Sequence, residues 1–337
     1  SRKDKTSRRR RVQQEDSRAK DSERDTSSSR ASEKRVKRCL YSKRDKTAIN
    51  LFASATYRKG ITGLKEDFER HKRYNKPNET RAFIANITSK TNRYKDVACL
   101  DSSRVILKDW KTDYIHANWV SIPSNERRFI CTQGPLETTF GDFWHMIVQE
   151  KVRSIVMLCD FEERNMKKCD RYFPMADNPE KMYDGYLVKY ISEKMLDMNN
   201  VQSEARITVR CLHIFKDEKL VQRVQHYQWL EWPDRGVPKA DLGIIRLIEA
   251  SKTEIVPTVI HCSAGIGRTG SVVMIDYVRD AAIHGCIPES LGEVLENIRK
   301  QRSASVQTDE QYCYVHQVLL EYYRSLKIIP IGREHEK

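Results

Sequence analysis

The chain has 337 residues, of which 61 are Lys or Arg, 47 are Asp or Glu and 39% are hydrophobic, with a net charge of +14 at pH 7. This composition is typical of a globular protein that carries excess positive charge. The sequence has no run of 18 apolar residues and no apolar segment behind its charged N-terminus, which argues against a membrane span and a secretory signal. We therefore expect a cytoplasmic or nuclear protein.

The nine cysteines are scattered along the chain. They lie between Cys39 and Cys313, their number is odd, and no two are spaced as C-x-x-C. This spacing disfavours both a disulfide framework and a structural zinc site. We expect reduced thiols, most of them buried. We also expect no metal or organic cofactor, because no cluster of His and Asp has the spacing of metal ligands.

Most of the excess positive charge lies at the start of the chain. Residues 1–40 hold fifteen Lys and Arg against seven Asp and Glu, which is +8 of the total +14. Residues 1–38 have Val12 and Val36 as their only large aliphatic residues and contain no aromatic residue. Such a segment cannot bury enough apolar surface to offset chain entropy, so the sequence predicts a disordered basic tail over residues 1–45.

The tail includes a basic run from Arg8 to Arg11. Such a run suits a nuclear signal or a docking patch for anionic lipid, nucleic acid or acidic proteins, although a solvated spacer is its more common role. The charge also raises the hypothesis of a nucleic-acid-binding protein, but the sequence has no zinc finger, helix-turn-helix or RNA-reading aromatic motif. Removing residues 1–40 should remove most salt-sensitive binding to anions.

The sequence predicts one α/β domain over residues 46–331, acting as a monomer, and a C-terminal tail at 332–337. Strand-like and helical segments follow one another without a break rich in Pro, Gly or Ser. Helical segments are predicted at 140–148 and behind capping-box patterns that begin at Ser290 and Thr308. The strand-like segments are 152–158, 206–212, 222–229 and 256–260.

The stretch TVIHCSAGIGRTG at 258–270 carries the strongest chemical signal. An apolar strand runs into Cys262, and a loop with two glycines leads into an apolar helix. Backbone N–H groups and a helix N-terminus then point into one concavity, which is an anion site, and Arg268 supplies a planar fork for two phosphate oxygens. A cysteine there should be a thiolate and a nucleophile towards phosphorus. Taken alone, Cys262 would be a buried thiol at the end of a core strand.

The string HCSAGIGRTG, from His261 to Gly270, resembles the phosphate-binding loop of the cysteine-dependent protein tyrosine phosphatases. Further similar segments span roughly residues 65–325. The resemblance implies a single domain with a highly twisted mixed central sheet flanked by helices. It also implies hydrolysis of phosphotyrosine in proteins through a phosphocysteine intermediate, with Cys262 as the nucleophile. The phosphate would be bound by Ser263, Ala264, Gly265, Ile266, Gly267 and Arg268.

Two segments resemble the acid loop and the substrate-recognition loop of that family. The acid stretch WPDRGVP, residues 232–238, would carry Asp234 as the general acid that protonates the departing tyrosyl oxygen, close to Trp232 in a supporting position. The stretch NRYKDV would place Tyr94 beside the substrate ring and Asp96 against the peptide backbone. Without the surrounding matches, Asp234 would be a turn residue and Tyr94 a half-buried aromatic residue.

The string QTDEQ resembles the family's glutamine loop. Gln307 and Gln311 would hold the water that hydrolyses the phosphocysteine, while Gln311 would also cap a helix together with Thr308. The hydroxyl of Thr269, just behind the phosphate-binding loop, would stabilise the returning thiolate. These assignments depend on the resemblance.

The string EERNMKKC resembles the family's glutamate loop. Glu163 would pair with Arg268 and keep its guanidinium oriented, and Lys168 would approach the acid stretch. From composition alone, this is a charged surface loop. Two further cations, Arg299 and Arg302, have two open interpretations, a secondary phosphate contact near the cleft and a solvated helix face.

The sequence departs from the family's usual pattern at two positions. His116 stands where Asn is usual, and we expect a changed supporting hydrogen bond without a change of reaction. Arg235 stands where an aromatic residue or His is common, which puts the rate in doubt. His261, directly before the nucleophile, matches the pattern and is a supporting residue.

A domain that binds phosphotyrosine without hydrolysing it is the alternative hypothesis. The usual mark of such a domain is loss of the nucleophile, the acid or the loop arginine. Cys262, Asp234 and Arg268 are all present, which favours an active enzyme.

Overall fold

The computed structural model describes six stretches of the chain. They are residues 41–71, 79–199, 201–233, 236–253, 255–287 and 290–330. The predicted tail up to residue 40, the predicted general acid Asp234, the departure at Arg235 and the C-terminal tail at 332–337 therefore lie outside the described residues.

Helix α1 (Lys43–Arg70) opens the described chain with a capping box. The Ser42 side chain accepts a hydrogen bond from the Asp45 N–H, and the Asp45 carboxylate accepts one from the Ser42 N–H. Tyr41 is buried against the domain. The predicted end of the tail at residue 45 was therefore wrong by a few residues, because the cap and Tyr41 belong to the folded part.

Nine strands of the described residues form one mixed sheet. Its order is β1-β2-β3-β11-β4-β10-β9-β8-β7. The strands are β1 (Arg104–Ile106), β2 (Tyr114–Ile122), β3 (Asn125–Thr132), β4 (Ser154–Met157), β7 (Glu180–Tyr183), β8 (Tyr186–Met195), β9 (Arg206–Lys216), β10 (Lys219–Leu230) and β11 (Thr258–His261). The four central strands β3, β11, β4 and β10 pair in parallel, and the outer strands pair antiparallel. Strand β11 is buried along its whole length, as expected for a central parallel strand.

The remaining strands, β5 (Glu162–Glu163) and β6 (Met166–Lys167), form a small hairpin. The other helices are α2 (Arg81–Ala85), α3 (Phe140–Gln149), α4 (Gly243–Ser251), α5 (Gly267–Ile283), α6 (Leu291–Arg299) and α7 (Asp309–Ser325). Helix α7 packs against α1 and α5, while α3 packs against β7 and β8. The predicted α/β fold, with a twisted mixed sheet flanked by helices, is confirmed.

All four predicted strands are present within a few residues, as β4, β9, β10 and β11. The helices predicted at 140–148 and behind Ser290 and Thr308 are also present, as α3, α6 and α7. The two helix caps differ from the predicted capping boxes. The Ser290 side chain accepts from the Gly292 N–H, so the capping box predicted to begin at Ser290 does not form.

None of the helices in the described part of the chain is both long enough and apolar enough to span a bilayer.

Candidate active site

The loop after β11 forms the centre of the candidate site. Strand β11 ends at His261, and Cys262 follows it with only 6% of its surface exposed. The loop ends at Gly267, the first residue of α5. The Gly265 N–H donates to the Cys262 sulfur at 3.3 Å. The predicted strand, loop and helix are therefore present, and the sulfur lies near the positive end of a helix dipole.

Gly265 has no room for a side chain. Its φ is +70°, and a Cβ at this position would lie 1.9 Å from the Thr132 carbonyl oxygen at the end of β3. The segment that follows β3 also contacts the loop, because the Gly134 N–H donates to the Ser263 carbonyl at 2.8 Å. The loop is thus packed directly against neighbouring backbone, which fixes its shape.

Four groups together lower the pKa of the Cys262 thiol. Burial alone would raise this pKa, but the Thr269 hydroxyl, the Arg268 guanidinium and the N–H groups of Thr269 and Gly265 outweigh burial. The Thr269 hydroxyl makes no hydrogen bond of ordinary geometry with another described residue, and the nearby sulfur is the group that it stabilises. By contrast, burial raises the pKa of Cys99 to about 11. Cys262 is therefore suited to be a thiolate.

Arg268 is held by a two-point ion pair. Its Nη1 and Nη2 atoms each donate to one oxygen of Glu163 at 2.6 Å, and the two side chains are no more than 9% exposed. Nη1 also donates to the Leu158 carbonyl at 2.9 Å, and Nη2 to the Pro233 carbonyl at 3.5 Å. The pairing implied by the resemblance is therefore present. Such a fork-to-fork pair fixes the plane of the guanidinium.

Arg302 supports the loop from behind. It is fully buried, and its Nε and Nη2 atoms donate to the carbonyls of Gly265 and Ala264, both at 3.0 Å. Its Nη1 donates to the Asn118 side chain on β2 at 2.8 Å. Because two consecutive loop carbonyls are bound on this side, Arg302 restrains the backbone orientation of the loop.

Neither interpretation of Arg299 and Arg302 is correct. Arg299 is 1% exposed and donates to the carbonyls of Ser305 and Val306, at 2.9 and 2.8 Å. Buried guanidinium groups that bind backbone carbonyls are neither a second phosphate contact nor a solvated helix face. Both residues hold backbone in place around the site.

His116 joins Arg302 to the recognition segment. Its Nδ1 accepts from Arg302 at 3.2 Å, so its Nε2 carries the proton and donates to the Val97 carbonyl at 2.8 Å. Burial, and then the Arg302 charge, lower the pKa of His116 to about 3. The neutral ring therefore bridges the Val97 carbonyl and Arg302.

His261 belongs to a buried chain of hydrogen bonds. Its Nδ1 lies 3.0 Å from the Cys262 carbonyl and donates to it, so its Nε2 accepts from the Tyr172 hydroxyl at 2.8 Å. The Tyr172 oxygen in turn accepts from His226 at 2.7 Å. Burial lowers the pKa of His261 to about 4. This chain anchors the end of β11 directly before the nucleophile.

The recognition segment borders the loop. The Ser263 hydroxyl donates to the Lys168 carbonyl at 2.7 Å, so the Tyr94 hydroxyl donates to Ser263 at 2.8 Å. Ile266 packs with Val97 and Ala304 in a small apolar cluster, against which Tyr94 and Ala264 lie. Asp96 is exposed two residues beyond Tyr94. The structure therefore places the Tyr94 ring beside the loop.

The two predicted glutamines lie against the start of α5. A Cβ at Gly267 would lie 2.9 Å from Gln311 Nε2 and 3.3 Å from Gln307 Oε1. The Thr308 side chain caps α7 by accepting from the Gln311 N–H, and Gln311 Oε1 accepts from the Gln307 N–H at 2.8 Å. Gln311 therefore binds the residue before the cap, and a complete capping box is absent. Both glutamines remain next to the loop.

The acid stretch is only partly described. Trp232 is buried between Trp229 and Tyr314, with ring centroids 4.9 and 5.9 Å away. Pro233 reaches Arg268 through its carbonyl, as given above. Asp234 lies outside the described residues, and so does the predicted approach of Lys168 to it.

Sequence reasoning missed the residues that support the site from behind. Tyr172, Arg302 and His226 are all buried, and each acts through backbone or another side chain of the site. Arg302 carries a sequence signal only as a possible phosphate contact near the cleft, and its actual partners, the Gly265 and Ala264 carbonyls, lie 37 and 38 positions away. A buried thiolate, a fixed guanidinium and inward N–H groups can bind a phosphate group and attack it.

Comparison with known proteins agrees with this chemistry. Residues 88–321 match the protein-tyrosine phosphatase family. The mouse tyrosine-protein phosphatase non-receptor type 18 is 35% identical over 242 residues, which cover 69% of this chain and 51% of that protein. The rat non-receptor type 9 enzyme is 31% identical over 291 residues, which cover 80% of this chain and 48% of that protein.

Solved structures show the same likeness. The crystal structure of the catalytic domain of human protein tyrosine phosphatase non-receptor type 18 has a TM-score of 0.68 and 30% identity, covering 81% of this chain and 99% of that one. A structure of PTPN18 in complex with HER2-pY1196 phosphopeptides has a TM-score of 0.69, 29% identity and coverage of 82% of this chain and 99% of that one. The chain belongs to the protein-tyrosine phosphatase family. It spans between about a tenth and about half of the length of the curated relatives that it matches.

Proposed function

We propose that the protein is a protein tyrosine phosphatase that hydrolyses phosphotyrosine in proteins. The observation that carries this proposal is the buried Cys262 sulfur, which accepts from the Gly265 N–H in a loop whose Arg268 guanidinium is held in place by Glu163. These groups lower the pKa of the Cys262 thiol. Family membership and the matched segment 88–321 support the same activity.

In the first step the Cys262 thiolate attacks phosphorus. An S–P bond forms while the P–O bond to the tyrosyl oxygen breaks, and Asp234 gives its proton to that oxygen. Arg268 and the loop N–H groups stabilise the charge on the other phosphate oxygens. The Glu163 pair and the Arg302 contacts keep these donors in position before the substrate binds, so little reorganisation is needed.

In the second step water releases the phosphate. The Asp234 carboxylate takes a proton from water, the water oxygen attacks phosphorus, and the S–P bond breaks to give inorganic phosphate and a thiolate. Gln307 and Gln311 position this water, since both amides lie against the start of α5. The Thr269 hydroxyl stabilises the thiolate as it reforms.

The substrates that we propose are phosphotyrosine-containing proteins in cellular signalling. The Tyr94 ring beside the loop gives the cleft depth, so a long aryl phosphate reaches Cys262 while a short phosphoserine does not. Asp96 would accept hydrogen bonds from the peptide backbone. PTPN18, a structural relative, is seen in complex with HER2 phosphopeptides, which supports a peptide substrate.

We further propose that the protein acts as a monomer in the cytoplasm or nucleus. The eight cysteines in the described part of the chain are free thiols, which fits a reducing compartment.

The test is hydrolysis of p-nitrophenyl phosphate and a phosphotyrosyl peptide by the full chain. Cys262→Ser should lower turnover at least roughly 10⁴-fold, because the nucleophile is lost. Asp234→Ala should lower kcat by about 10²–10⁴-fold and retain phosphotyrosyl proteins from a lysate, since it binds substrate without supplying the proton. The matched control is Cys286→Ser, which changes an exposed thiol.

The outcomes separate the two hypotheses. Activity in the unchanged protein that depends on Cys262 supports the enzyme. If the unchanged protein and Cys262→Ser are equally inert while both bind the phosphotyrosyl peptide, the domain binds phosphotyrosine without hydrolysing it. If Asp234→Ala turns over at the normal rate, the general acid is a different residue.

A further inference from the structure

A cavity of about 970 Å³ lies away from the phosphate-binding loop. It is lined by the last turn of α7, by residues at and just before the start of α4, and by residue 199 and residues 201–204 between β8 and β9. Four of its lining side chains are large aliphatic ones, namely Val201, Leu242, Ile245 and Leu326. The volume is large enough for several side chains of a peptide.

The rim of the cavity is acidic although the chain as a whole is basic. Four carboxylates line it, at Glu204, Asp241, Glu249 and Glu321, against two cations at Lys239 and Arg246. The lining residues alone therefore carry −2, while Arg279 and Arg324, which do not line the cavity, pair with Glu249 and Glu321. The Glu204 and Glu321 side chains are 78% and 43% exposed, so their ion pairs with neighbouring cations are open to competition from a bound segment.

The described part of the chain begins at Tyr41, at the edge of this cavity. The ring of Tyr41 packs edge-on against Tyr323 with centroids 6.2 Å apart, and the preceding residue Tyr322 lines the cavity. Burial, and then the phenols of Tyr322 and Tyr323, raise the pKa of Tyr41, which shows how close these rings are. Near the start of α1, Asn50 donates to the Ile328 carbonyl beyond the end of α7. Tyr41, the first described residue, therefore lies next to the acidic rim.

The tail residues nearest this point match the cavity in charge and polarity. The segment KRVKRCL, residues 34–40, has four cations in its first five positions, with Val36 between them and Leu40 at its end. Seven residues span up to roughly 23 Å, which is enough to cross a cavity that begins beside Tyr41. We propose that this cavity is a docking site for residues 34–40 of the same chain, with Val36 on the aliphatic floor and the cations against the acidic rim.

Docking within one chain is favoured over other occupants. A segment tethered by a few residues has an effective concentration in the millimolar range, so weak ion pairs suffice to hold it. Lys239, Asp241 and Leu242, which line the cavity, directly follow the acid stretch at 232–238. A docked tail therefore contacts the segment that leads to Asp234.

Photo-crosslinking in the full chain tests this proposal. The probe p-benzoylphenylalanine replaces Val36, and mass spectrometry identifies the attached peptide. We expect attachment to peptides that contain residues 239–249 or 321–326. The matched control is the same probe in place of Val12, the other large aliphatic residue of residues 1–38, which should not label these peptides.

Charge reversal then tests the acidic rim. Glu204→Lys with Glu321→Lys should lower the crosslink yield roughly two- to thirtyfold, the range expected for losing two exposed ion pairs. Glu126→Lys with Glu137→Lys changes two exposed carboxylates outside the cavity and should leave the yield unchanged.

Three results would overturn the proposal. They are attachment of the Val36 probe to other surfaces, a yield that does not respond to reversal of the rim charges, and crosslinks between a heavy-isotope copy and a normal copy in a mixed sample. The last result would show that the occupant belongs to a second chain.

Discussion

The active site around Cys262 has a buried floor and an exposed rim, which are distinct from the cavity near α7 and which the protein holds in different ways. The floor, which we define as Cys262, Gly265 and Arg268, is buried and bound by Arg302, Glu163 and backbone groups of β3. The rim, which we define as Tyr94, Asp96 and Gln307, is half-buried or exposed. The protein itself therefore fixes the groups that stabilise the transition state, whereas the groups that select the peptide face solvent.

This difference has a consequence for substitutions. A change behind the floor should lower both the stability of the fold and the rate of hydrolysis, because the same hydrogen bonds serve both. A change at the rim should alter the binding of peptides and leave the hydrolysis of a small aryl phosphate intact. Four substitutions test the two halves of this comparison.

The largest effect is expected behind the floor, for Arg302→Lys. Lysine keeps the charge but lacks the planar fork, so it cannot satisfy the carbonyls of Gly265 and Ala264 together with Asn118. Buried acceptors left without donors should lower the free energy of unfolding by about 2–4 kcal/mol. Urea unfolding followed by fluorescence measures this value.

The matched control is Arg324→Lys, in which a cation with an (i, i+3) ion pair to Glu321 is replaced. Its free energy of unfolding should change by no more than about 0.5 kcal/mol. Equal urea midpoints for the two variants would contradict the role that we give to Arg302. Failure of Arg302→Lys to fold, with normal folding of the control, agrees with that role.

The next largest effect is expected within the floor, for Thr269→Ala. The Thr269 hydroxyl is one of the groups that lower the pKa of Cys262, so its loss should move that pKa upwards. The thiolate is the reactive form, hence alkylation by iodoacetate should slow in weakly acidic buffer and recover as the pH rises. Loss of this stabilisation of the thiolate should also lower kcat roughly ten- to a hundredfold.

The control for this variant is Ser271→Ala, on the same helix. This change removes a hydroxyl that donates to the Gly267 carbonyl. Its alkylation rate should follow the same pH curve as the unchanged protein. An unshifted curve for Thr269→Ala would mean that Arg268 and the loop N–H groups alone account for the lowered pKa.

The sequence was informative where chemistry demands a residue type. A nucleophile, a phosphate fork and flexible loop backbone must lie close together, so Cys262, Gly265 and Arg268 could be found from one short string. The same reasoning located β11 and α5, because a buried parallel strand is apolar along its length and the helix after it is apolar as well. The floor was predictable for this reason.

The supporting residues could not be found in that way. Arg302 binds backbone carbonyls, which every residue possesses, so no partner residue type marks its function. Helix α1 was also missed, because its sequence is highly charged, only one face is buried, and Gly60 interrupts it at a φ of +56°. Strand β8 is exposed along its second half, which hides the alternation that marks a strand.

A smaller effect is expected at the rim, for Asp96→Asn. The amide keeps one acceptor oxygen but loses the charge, so the KM for a phosphotyrosyl peptide should rise about fivefold. The kcat for p-nitrophenyl phosphate should stay unchanged, because that substrate has no peptide backbone. Glu126→Gln, an exposed carboxylate on β3, is the control and should alter neither value. An equal loss of activity on the peptide and on p-nitrophenyl phosphate would show that Asp96 supports catalysis as the floor residues do. The proposed difference between the floor and the rim would then be wrong.

The smallest effect is expected for His116→Asn, which introduces the residue that is usual in the family. The His116 ring bridges the Val97 carbonyl and Arg302, whereas a shorter Asn side chain can satisfy only one of them. We expect the free energy of unfolding to fall by about 1 kcal/mol, measured by urea unfolding. The kcat should change by less than about threefold, since Arg302 keeps its bonds to both loop carbonyls.

The double variant with Arg302→Lys then decides how His116 acts. If His116 acts only through Arg302, adding His116→Asn to Arg302→Lys should cost less than it does alone. Full additivity would instead mean that the bond to Val97 is an independent contribution.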